Sequence, residues 1–252
     1  MTEHPIEISE EAGVRSLHFG SEWIQGSMRI RRPHALELAY TREMMACLLL
    51  RPDDDWPRRA LLIGLGAGSL AKYIYCHLAH TRITAVEIDP RIAPMAQQYF
   101  HLPVDPRRLK IVIADGADYV ATSRGRFDLI LVDGFGADAR PGGLDSAAFY
   151  AEARARLSNS GLLVCNLLGR SRGFGASVQR ISLAFEGRSV VFPSCDSGNA
   201  IAFGVASEPV DVTLEEMRIR AAALKRSTGL DLAPTISRLQ LALPLPGGRL
   251  TL

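Results

Sequence analysis

Three glycines spaced by two, Gly64, Gly66 and Gly68, follow a short apolar run and precede a helix-forming segment. Glycine lets the backbone turn sharply and approach a ligand that a Cβ would exclude. Some way further on, a second apolar run ends at Glu87. A carboxylate about 20 residues after such a turn is where a parallel α/β sheet places an acceptor for ribose hydroxyls. The pattern predicts that the chain binds a nucleoside.

The residues of the glycine turn exclude two common nucleotide sites. A dinucleotide fingerprint needs a third glycine at position 69, where the chain has Ser69. The turn also lacks the Lys-Ser/Thr pair of a phosphate-binding P-loop. A purely structural turn is the alternative interpretation, and the strand before the turn, the helix after it and the acid beyond favour the nucleoside.

Two further acids, Asp115 and Asp133, also follow apolar runs. Ligands of open parallel sheets bind outside the carboxyl ends of the strands, so these acids and Glu87 are expected at one edge. Unpaired carboxylates there are costly. A sulfonium nucleoside would pair with these carboxylates through its positive sulfur, its ribose diol and its exocyclic amine. Asp115 is placed to accept from the adenine amine while Gly116 lets the backbone approach the ring; an ordinary helix N-cap is the alternative for Asp115.

Other candidate residues point to less chemistry. Asp89 precedes a proline and is expected to cap the following helix. His77 and His80 share a predicted helix, but no third ligand is evident, so no metal site is predicted. Ser146 and Ser171 lack the strand-to-helix setting of a hydrolase nucleophile.

Alternating apolar and helix-forming segments must position these residues. Strands are predicted over 60–64, 82–87, 109–114, 127–133 and 161–167, and helices over 68–80, 90–100, 116–122, 145–157 and 174–185. This alternation predicts an α/β fold with a parallel, Rossmann-like sheet covered on both faces. The runs 188–193 and 200–206, joined by a turn-rich segment, are expected to pair antiparallel.

The ends of the chain have a different pattern. Residues 5–31 predict a small antiparallel β appendage, and 36–50 a helix. We therefore expect two parts, a β-hairpin segment with a lead-in helix over 1–50 and a Rossmann-like nucleoside-binding domain over 51–252. A late helix is predicted over 215–226, and the tail from Pro244 is expected to be a surface extension.

Composition limits the partners and the compartment. The net charge is only +2, from 29 basic and 27 acidic residues, so neither nucleic acid nor a membrane surface is predicted as a partner. The first residues lack the apolar core of a signal peptide, and no apolar run has the 18 or more residues of a membrane helix. The four cysteines, which are far apart in the sequence, are Cys47, Cys76, Cys165 and Cys195. Such spacing is expected of free thiols in a reducing compartment, so a cytoplasmic location is predicted.

The motifs together resemble the spermidine synthase (polyamine aminopropyltransferase) family, a branch of the class I methyltransferase-like fold, in its compact bacterial form. The matching stretches are Gln25–Arg29, Leu62–Gly66, Val86–Asp89, Asp115–Gly116, the strand ending at Asp133, and Ala148–Tyr150. The resemblance implies that Glu87 binds the ribose, Asp115 and Gly116 the adenine, and the three glycines the sulfonium tail. It also implies that Gln25 reaches over the nucleoside, that Tyr40 or Tyr150 lines an amine channel, and that the protein is a homodimer.

Two departures from the family pattern bear on the reaction. Aminopropyltransferases carry an acid within the glycine turn, where this chain has Ala67, and another three residues beyond the fourth-strand acid, where it has Gly136. An attacking alkylamine is mostly protonated at neutral pH, with a pKa near ~10.4, so a base is needed. Asp133 is the expected catalytic residue, and Asp138 is a candidate substitute for the missing acid.

Three functions remain open at this point. The chain could transfer an aminopropyl group from decarboxylated S-adenosylmethionine to a small amine substrate, without a metal. It could instead transfer a methyl group from S-adenosylmethionine, since methyl transfer relies largely on proximity and orientation. It could also be a nucleoside-binding member without catalysis. Fold alone does not choose among them, and the resemblance favours the first.

Overall fold

The computed structural model describes residues 4–20, 23–135, 142–194 and 198–252. The chain begins with a three-stranded antiparallel sheet, formed by β1 (Ile6–Glu11), β2 (Val14–Phe19) and β3 (Ile24–Arg29). Ala12 and Gly13 join the first two strands with φ angles of 49° and 77°, which is typical of a tight two-residue hairpin turn. The predicted antiparallel appendage is confirmed.

Seven strands form the main sheet: β4 (Arg59–Ile63), β5 (Arg82–Glu87), β6 (Leu109–Ile113), β7 (Phe127–Val132), β8 (Leu157–Leu168), β9 (Ser189–Pro193) and β10 (Asn199–Val205). Their order is β6-β5-β4-β7-β8-β10-β9. The first five run parallel, and β10 lies antiparallel to both of its neighbours. The predicted parallel sheet with a terminal antiparallel hairpin is confirmed.

A helix follows each parallel strand: α2 (Ser69–His77), α3 (Ile92–Phe100), α4 (Gly116–Thr122), α5 (Ala147–Ala155) and α6 (Phe174–Ala184). The inner strands β4, β5 and β7 are largely buried on both faces, whereas the edge strand β6 is partly exposed. Leu62 and Ala85 belong to one apolar core, and Leu61 and Val86 to the other. This alternation explains why the strands are continuous apolar runs in the sequence.

The lead-in segment is shorter as an α-helix than the predicted 36–50. An α-helix, α1 (Ala39–Met44), is followed by a 3₁₀ turn over Met45–Leu49. Met44 and Met45 are fully buried. Leu17 and Met28 of the first sheet lie in the same core as Leu62, and the division of the chain at residue 50 stays a prediction.

The C-terminal part differs most from the sequence prediction. A short strand β11 (Asp211–Thr213) leads into α7 (Leu214–Thr228), and then come α8 (Ala233–Ala242) and β12 (Arg249–Thr251). Helix α7 agrees with the helix predicted over 215–226, whereas the sequence pattern does not predict α8. The prediction of a surface tail from Pro244 is wrong, because β12 pairs with β11 and Leu250 is buried. Within the described ranges, none of the helices combines the length and the apolar character needed to cross a bilayer.

Candidate active site

The predicted site residues that the structure describes lie along the carboxyl edge of the parallel strands. Backbone bonds continue the sheet beyond the strands, since Asp133 N donates to Ile63 O at 2.9 Å and Ala114 N to Glu87 O at 3.0 Å. The strand ends therefore stand side by side, with Asp115 after β6, Glu87 on β5, the glycine turn after β4 and Asp133 after β7. At about 4.8 Å between neighbouring strands, this row spans roughly 14 Å.

The glycine turn is shaped by the protein's own packing. A Cβ on Gly64 (φ +90°) would lie 2.3 Å from Asp133 O, and one on Gly66 (φ +50°) would lie 2.8 Å from Gln25 O. Gly68 (φ +69°) precedes α2 and faces the side chain of a leucine. Glycine is thus required at all three positions without a ligand. The turn brings Gln25 and Asp133 to the same place.

Ala67 and Gly26 are in close contact within this turn. A Cβ on Gly26, in β3, would lie 2.6 Å from Ala67 Cβ and 2.9 Å from Ala67 N. Ala67 is buried. The position at which the family pattern has an acid is therefore filled by a methyl group packed against β3.

Glu87 is buried, and each of its carboxylate oxygens accepts a hydrogen bond from the backbone. Its Oε2 accepts from Leu65 N at 2.9 Å, and its Oε1 accepts from Asp89 N at 3.0 Å. These N–H groups compensate the burial of the carboxylate, which sequence reasoning assigned to a ligand alone. Each oxygen has a second lone pair, so Glu87 can also accept from a ribose hydroxyl.

Asp115 is the N-cap of α4. Its Oδ1 accepts from Ala117 N at 2.8 Å and Asp118 N at 3.1 Å. A Cβ on Gly116 would lie 2.3 Å from Ile63 Cγ2, so helix packing requires glycine there. The capping role that sequence reasoning left as an alternative is present, and a contact with adenine stays a prediction.

Asp89 lies just ahead of α3. Its Oδ1 accepts from Arg91 N at 2.9 Å, and its carboxylate also pairs with the Arg91 guanidinium. These hydrogen bonds lower the pKa of Asp89. The side chain shapes the turn that leads into the helix, while the helix N-cap itself is Arg91 rather than Asp89.

Asp133 is held by hydrogen bonds from two different elements. Asn166 Nδ2, on β8, donates to its Oδ1 at 2.8 Å, and Tyr40 OH, on α1, donates to its Oδ2 at 3.2 Å. Asn199 Nδ2, on β10, donates in turn to Asn166 Oδ1 at 2.7 Å. Burial raises the pKa of Asp133, and the bonds from Asn166 and Tyr40 oppose that shift.

Sequence reasoning missed the two asparagines. The available signal was a polar residue, Asn166, within the apolar run of β8. Of the two tyrosines suggested for an amine channel, Tyr40 lies at Asp133. Burial, followed by the charge of Asp133, holds its pKa well above 10, so its hydroxyl stays a donor. Tyr150 is buried elsewhere and donates to Asp145 Oδ1 at 2.9 Å.

A cavity of about 20 Å³ lies between the glycine turn, α1 and Asp133, and Gln25, Tyr40 and Ala67 also line it. Its volume is that of one small group, since a water needs roughly 10–15 Å³. Gly136 and Asp138 lie outside the described residues. In the part of the chain that the structure describes, no three His, Cys, Asp or Glu side chains are grouped to hold a metal.

Comparison with known proteins decides the family. Residues 37–166 match the family described as spermine/spermidine synthase domain. A polyamine aminopropyltransferase of Neisseria meningitidis serogroup A is 35% identical over 242 residues, which cover 96% of this chain and 91% of the relative. The chain belongs to the spermine/spermidine synthase family.

Solved structures place this family member within a wider fold group. A probable spermidine synthase from Corynebacterium glutamicum superimposes with a TM-score of 0.71 at 20% identity, covering 90% of this chain and 91% of that one. Human methyltransferase-like protein 13, solved in complex with SAH, has a TM-score of 0.67 at 26% identity, covering 76% and 93%. The spermidine synthase family member thus has the methyltransferase-like fold that the sequence resemblance implied.

Proposed function

We propose that the protein transfers an aminopropyl group from decarboxylated S-adenosylmethionine to a small amine, and that Asp133 is the catalytic residue. The observation that carries the proposal is the Asp133 carboxylate, held on both oxygens by Asn166 and Tyr40 beside the glycine turn. The relative named polyamine aminopropyltransferase, matched over nearly its whole length, supports this assignment.

Asp133 would first bind the amine and then take its proton. An alkylammonium has a pKa near ~10.4, so it arrives charged and pairs with the carboxylate. The raised pKa of buried Asp133 makes it a stronger base than an exposed aspartate. Transfer of the proton to Asp133 frees the lone pair of the amine nitrogen. This lone pair attacks the aminopropyl carbon that is bonded to the sulfonium sulfur. The carbon–sulfur bond breaks, and its electrons leave a neutral thioether.

The row of strand ends would hold the nucleoside. Glu87 accepts from the ribose hydroxyls, Asp115 and Gly116 contact the adenine, and Gln25 covers the nucleoside from β3. The glycines Gly64, Gly66 and Gly68 line the path of the sulfonium tail. This arrangement directs the transferred carbon toward the small cavity beside Asp133. Asp138 is proposed as a second acid for the amine.

Methyl transfer from S-adenosylmethionine is the second candidate. The observation that favours it is Ala67, whose methyl group packs against Gly26 where an acid would bind the amino group of an aminopropyl tail. The structural similarity to human methyltransferase-like protein 13 in complex with SAH is consistent with this candidate.

Calorimetric titration and turnover assays separate the candidates. Tight binding of decarboxylated S-adenosylmethionine, with conversion of putrescine to spermidine, is the expected result. Preference for S-adenosylmethionine or S-adenosylhomocysteine would support methyl transfer instead. Binding without turnover of any amine would indicate a non-catalytic member. Absence of binding by these nucleosides and by 5′-methylthioadenosine would overturn the nucleoside site.

The Asp133→Asn variant tests the base directly. It keeps the shape of the side chain and removes the charge, so kcat/KM is expected to fall about 10²- to 10⁴-fold, the usual contribution of a general base. Nucleoside affinity should change little. Equal loss of nucleoside binding and turnover would show that Asp133 supports the turn rather than the reaction.

We also infer a homodimer in the cytoplasm. Trp23 (62% accessible) precedes β3 and is adjacent to Ile24 (49%), the first residue of that strand. Adjacent exposed apolar side chains can form the kind of patch that marks a protein–protein interface. Cys47 and Cys165 are buried free thiols, which suits a reducing compartment. Light scattering after size exclusion would test the dimer, and a monomer at micromolar concentration would contradict it.

A further inference from the structure

A second and larger concavity lies at the opposite, amino edge of the parallel strands. Its volume is about 690 Å³, within the range of roughly 300–1,000 Å³ that is usual for small-molecule sites. Among the described residues that line it, Asp55 is the only one with a carboxylate. Six cationic side chains line this basic hollow: Arg58, Arg59, Arg82, Arg107, Arg108 and Lys110.

Strand register brings these cations onto one face of the sheet. Arg59 is the partner of Arg82 in the pairing of β4 with β5, and Thr84 is the partner of Lys110 in the pairing of β5 with β6. Arg82 and Thr84 are two residues apart and point to the same side. Arg59 therefore lies directly opposite Arg82, and Lys110 lies diagonally from Arg82 on the same face. Like charges placed in this way repel one another, and an anion bound between them would relieve that repulsion.

Two cations of the basic hollow are already engaged. Arg108 donates from Nη2 to Tyr75 O at 3.0 Å and Leu78 O at 3.2 Å. The guanidinium of Arg59 lies 5.6 Å from the ring centre of Phe127. These contacts fix two walls of the hollow. The charge of Arg108 also interacts with the nearby Asp105 carboxylate, whose pKa it helps to lower.

The remaining charge is poorly balanced within the protein. Arg58 pairs with Asp55 at 3.1 Å, and both side chains are largely exposed. Within the described residues, the side chains of Arg82, Arg107 and Lys110 make no ion pair. Since the whole chain has a net charge of only +2, this cluster is a local feature and not part of a generally basic surface.

We propose that the basic hollow binds a small polyanion that carries two or more phosphate groups. Arginine forks match phosphate oxygens in pairs, and lysine adds a point charge. A volume of this size suits a small molecule rather than a polymer that follows a long charged track. The five residues of β4 separate this hollow from the glycine turn by roughly 15 Å. The ligand would therefore bind independently of the nucleoside, and the proposal does not depend on the proposed function.

Calorimetric titration with inorganic triphosphate, pyrophosphate and phosphate tests the proposal at 0.15 M salt, because weak surface attraction is screened there. We expect one triphosphate per chain, with affinity falling from triphosphate to phosphate. Arg82→Gln and Lys110→Gln should each weaken triphosphate binding at least about tenfold. Arg226→Gln, which removes the same charge from the exposed face of α7, should change it less than about twofold.

Three outcomes would overturn the proposal. These are failure of triphosphate to bind, an equal loss of affinity in the Arg226→Gln control and the hollow variants, and tighter binding of a short single-stranded RNA than of triphosphate. The first two would show that the charges only keep the exposed edge of the sheet hydrated. Because the substituted side chains are exposed, circular dichroism and thermal melting are expected to show folded variants.

Discussion

Asn166 donates a hydrogen bond from Nδ2 to Oδ1 of Asp133 across 2.8 Å, and Asn199 fixes the direction of that bond. Because Asn199 donates to the Asn166 carbonyl oxygen, the Asn166 amide nitrogen must face the acid. Three strands, β7, β8 and β10, thus cooperate to hold one carboxylate. The antiparallel hairpin at the end of the sheet contributes directly to the candidate site.

The Asn166→Ala variant should shift the pH dependence of the reaction. The bond from Asn166 lowers the pKa of Asp133, whereas burial raises it. Without the bond the pKa rises further, so the acidic limb of kcat/KM against pH moves to higher pH. We expect about a tenfold loss at neutral pH, in line with one charge-assisted hydrogen bond. The control is Asn159→Ala, at an exposed position of the same strand, which should leave the acidic limb in place. An unmoved acidic limb in Asn166→Ala would contradict the positioning role of Asn166.

The Glu87→Gln variant tests the ribose assignment. An amide can still accept one of the two backbone N–H bonds at this position but presents an NH₂ group to the other. Affinity for 5′-methylthioadenosine should fall about 10- to 100-fold, while Glu215→Gln on the exposed start of α7 should have no effect. The wild type should discriminate against the 2′-deoxy analogue, and the variant should not. Equal discrimination by both proteins would remove Glu87 from the ribose site.

The parallel sheet could be predicted because its inner strands are buried on both faces and form continuous apolar runs in the sequence. The pairing of β12 with β11 could not, since Leu250 finds its partner strand about forty residues away along the chain and local pattern carries no sign of it. The basic hollow was hidden for the same reason. Arg59, Arg82 and Lys110 are distant in sequence, and only strand register makes them neighbours.

Within the candidate site, residue type predicted position better than it predicted role. Glu87, Asp115 and Asp133 all lie at the expected edge of the sheet. The carboxylates of Glu87 and Asp115, however, also accept structural hydrogen bonds from backbone N–H groups. A carboxylate at a strand end is compatible with a cap, a ligand contact or both, so periodicity alone cannot separate these roles.

The Gly26→Ala variant should disturb the glycine turn from a distance in sequence. The added Cβ would lie 2.6 Å from Ala67 Cβ, so β3 or the turn must move. We expect a loss of about 1–3 kcal/mol of unfolding free energy, typical of overpacking, together with weaker nucleoside binding. Gly175→Ala, in α6 where nothing lies within 4 Å, should be neutral or slightly stabilising. Unchanged stability of Gly26→Ala would show that the turn adapts freely.

The Arg238→Met variant should reveal an ion pair that fastens α8 to α1. Arg238 pairs with Glu43, which is 1% exposed. Loss of the arginine leaves a buried carboxylate uncompensated, at a cost of about 3–5 kcal/mol in the free energy of unfolding. The double variant Glu43→Gln/Arg238→Met should recover much of that loss in urea denaturation, and Arg226→Met should cost little. Simple additivity of the two single variants would contradict the pairing.

A buried lysine should make stability depend on alkaline pH. Lys72 on α2 is 1% exposed, and its Nζ donates to Phe100 O, at the end of α3, at 2.7 Å. The carbonyl groups of a helix C-terminus favour a cation, but burial dominates and lowers the pKa of Lys72 to about 8. Between pH 8 and about 10.5 the unfolded chain therefore binds more protons than the folded one. The free energy of unfolding must rise with pH across this window.

The Lys72→Met variant isolates this contribution. A pKa shift of this size corresponds to about 3 kcal/mol, a penalty that is fully present below pH 8 and lost above it. The unfolding free energy of the wild type minus that of the variant should be flat below pH 8 and rise by up to about 3 kcal/mol by pH 10.5. Lys110→Met, at an exposed position of β6, should give a curve parallel to the wild type. Parallel curves for Lys72→Met as well would show that the folded protein lets Lys72 keep its proton.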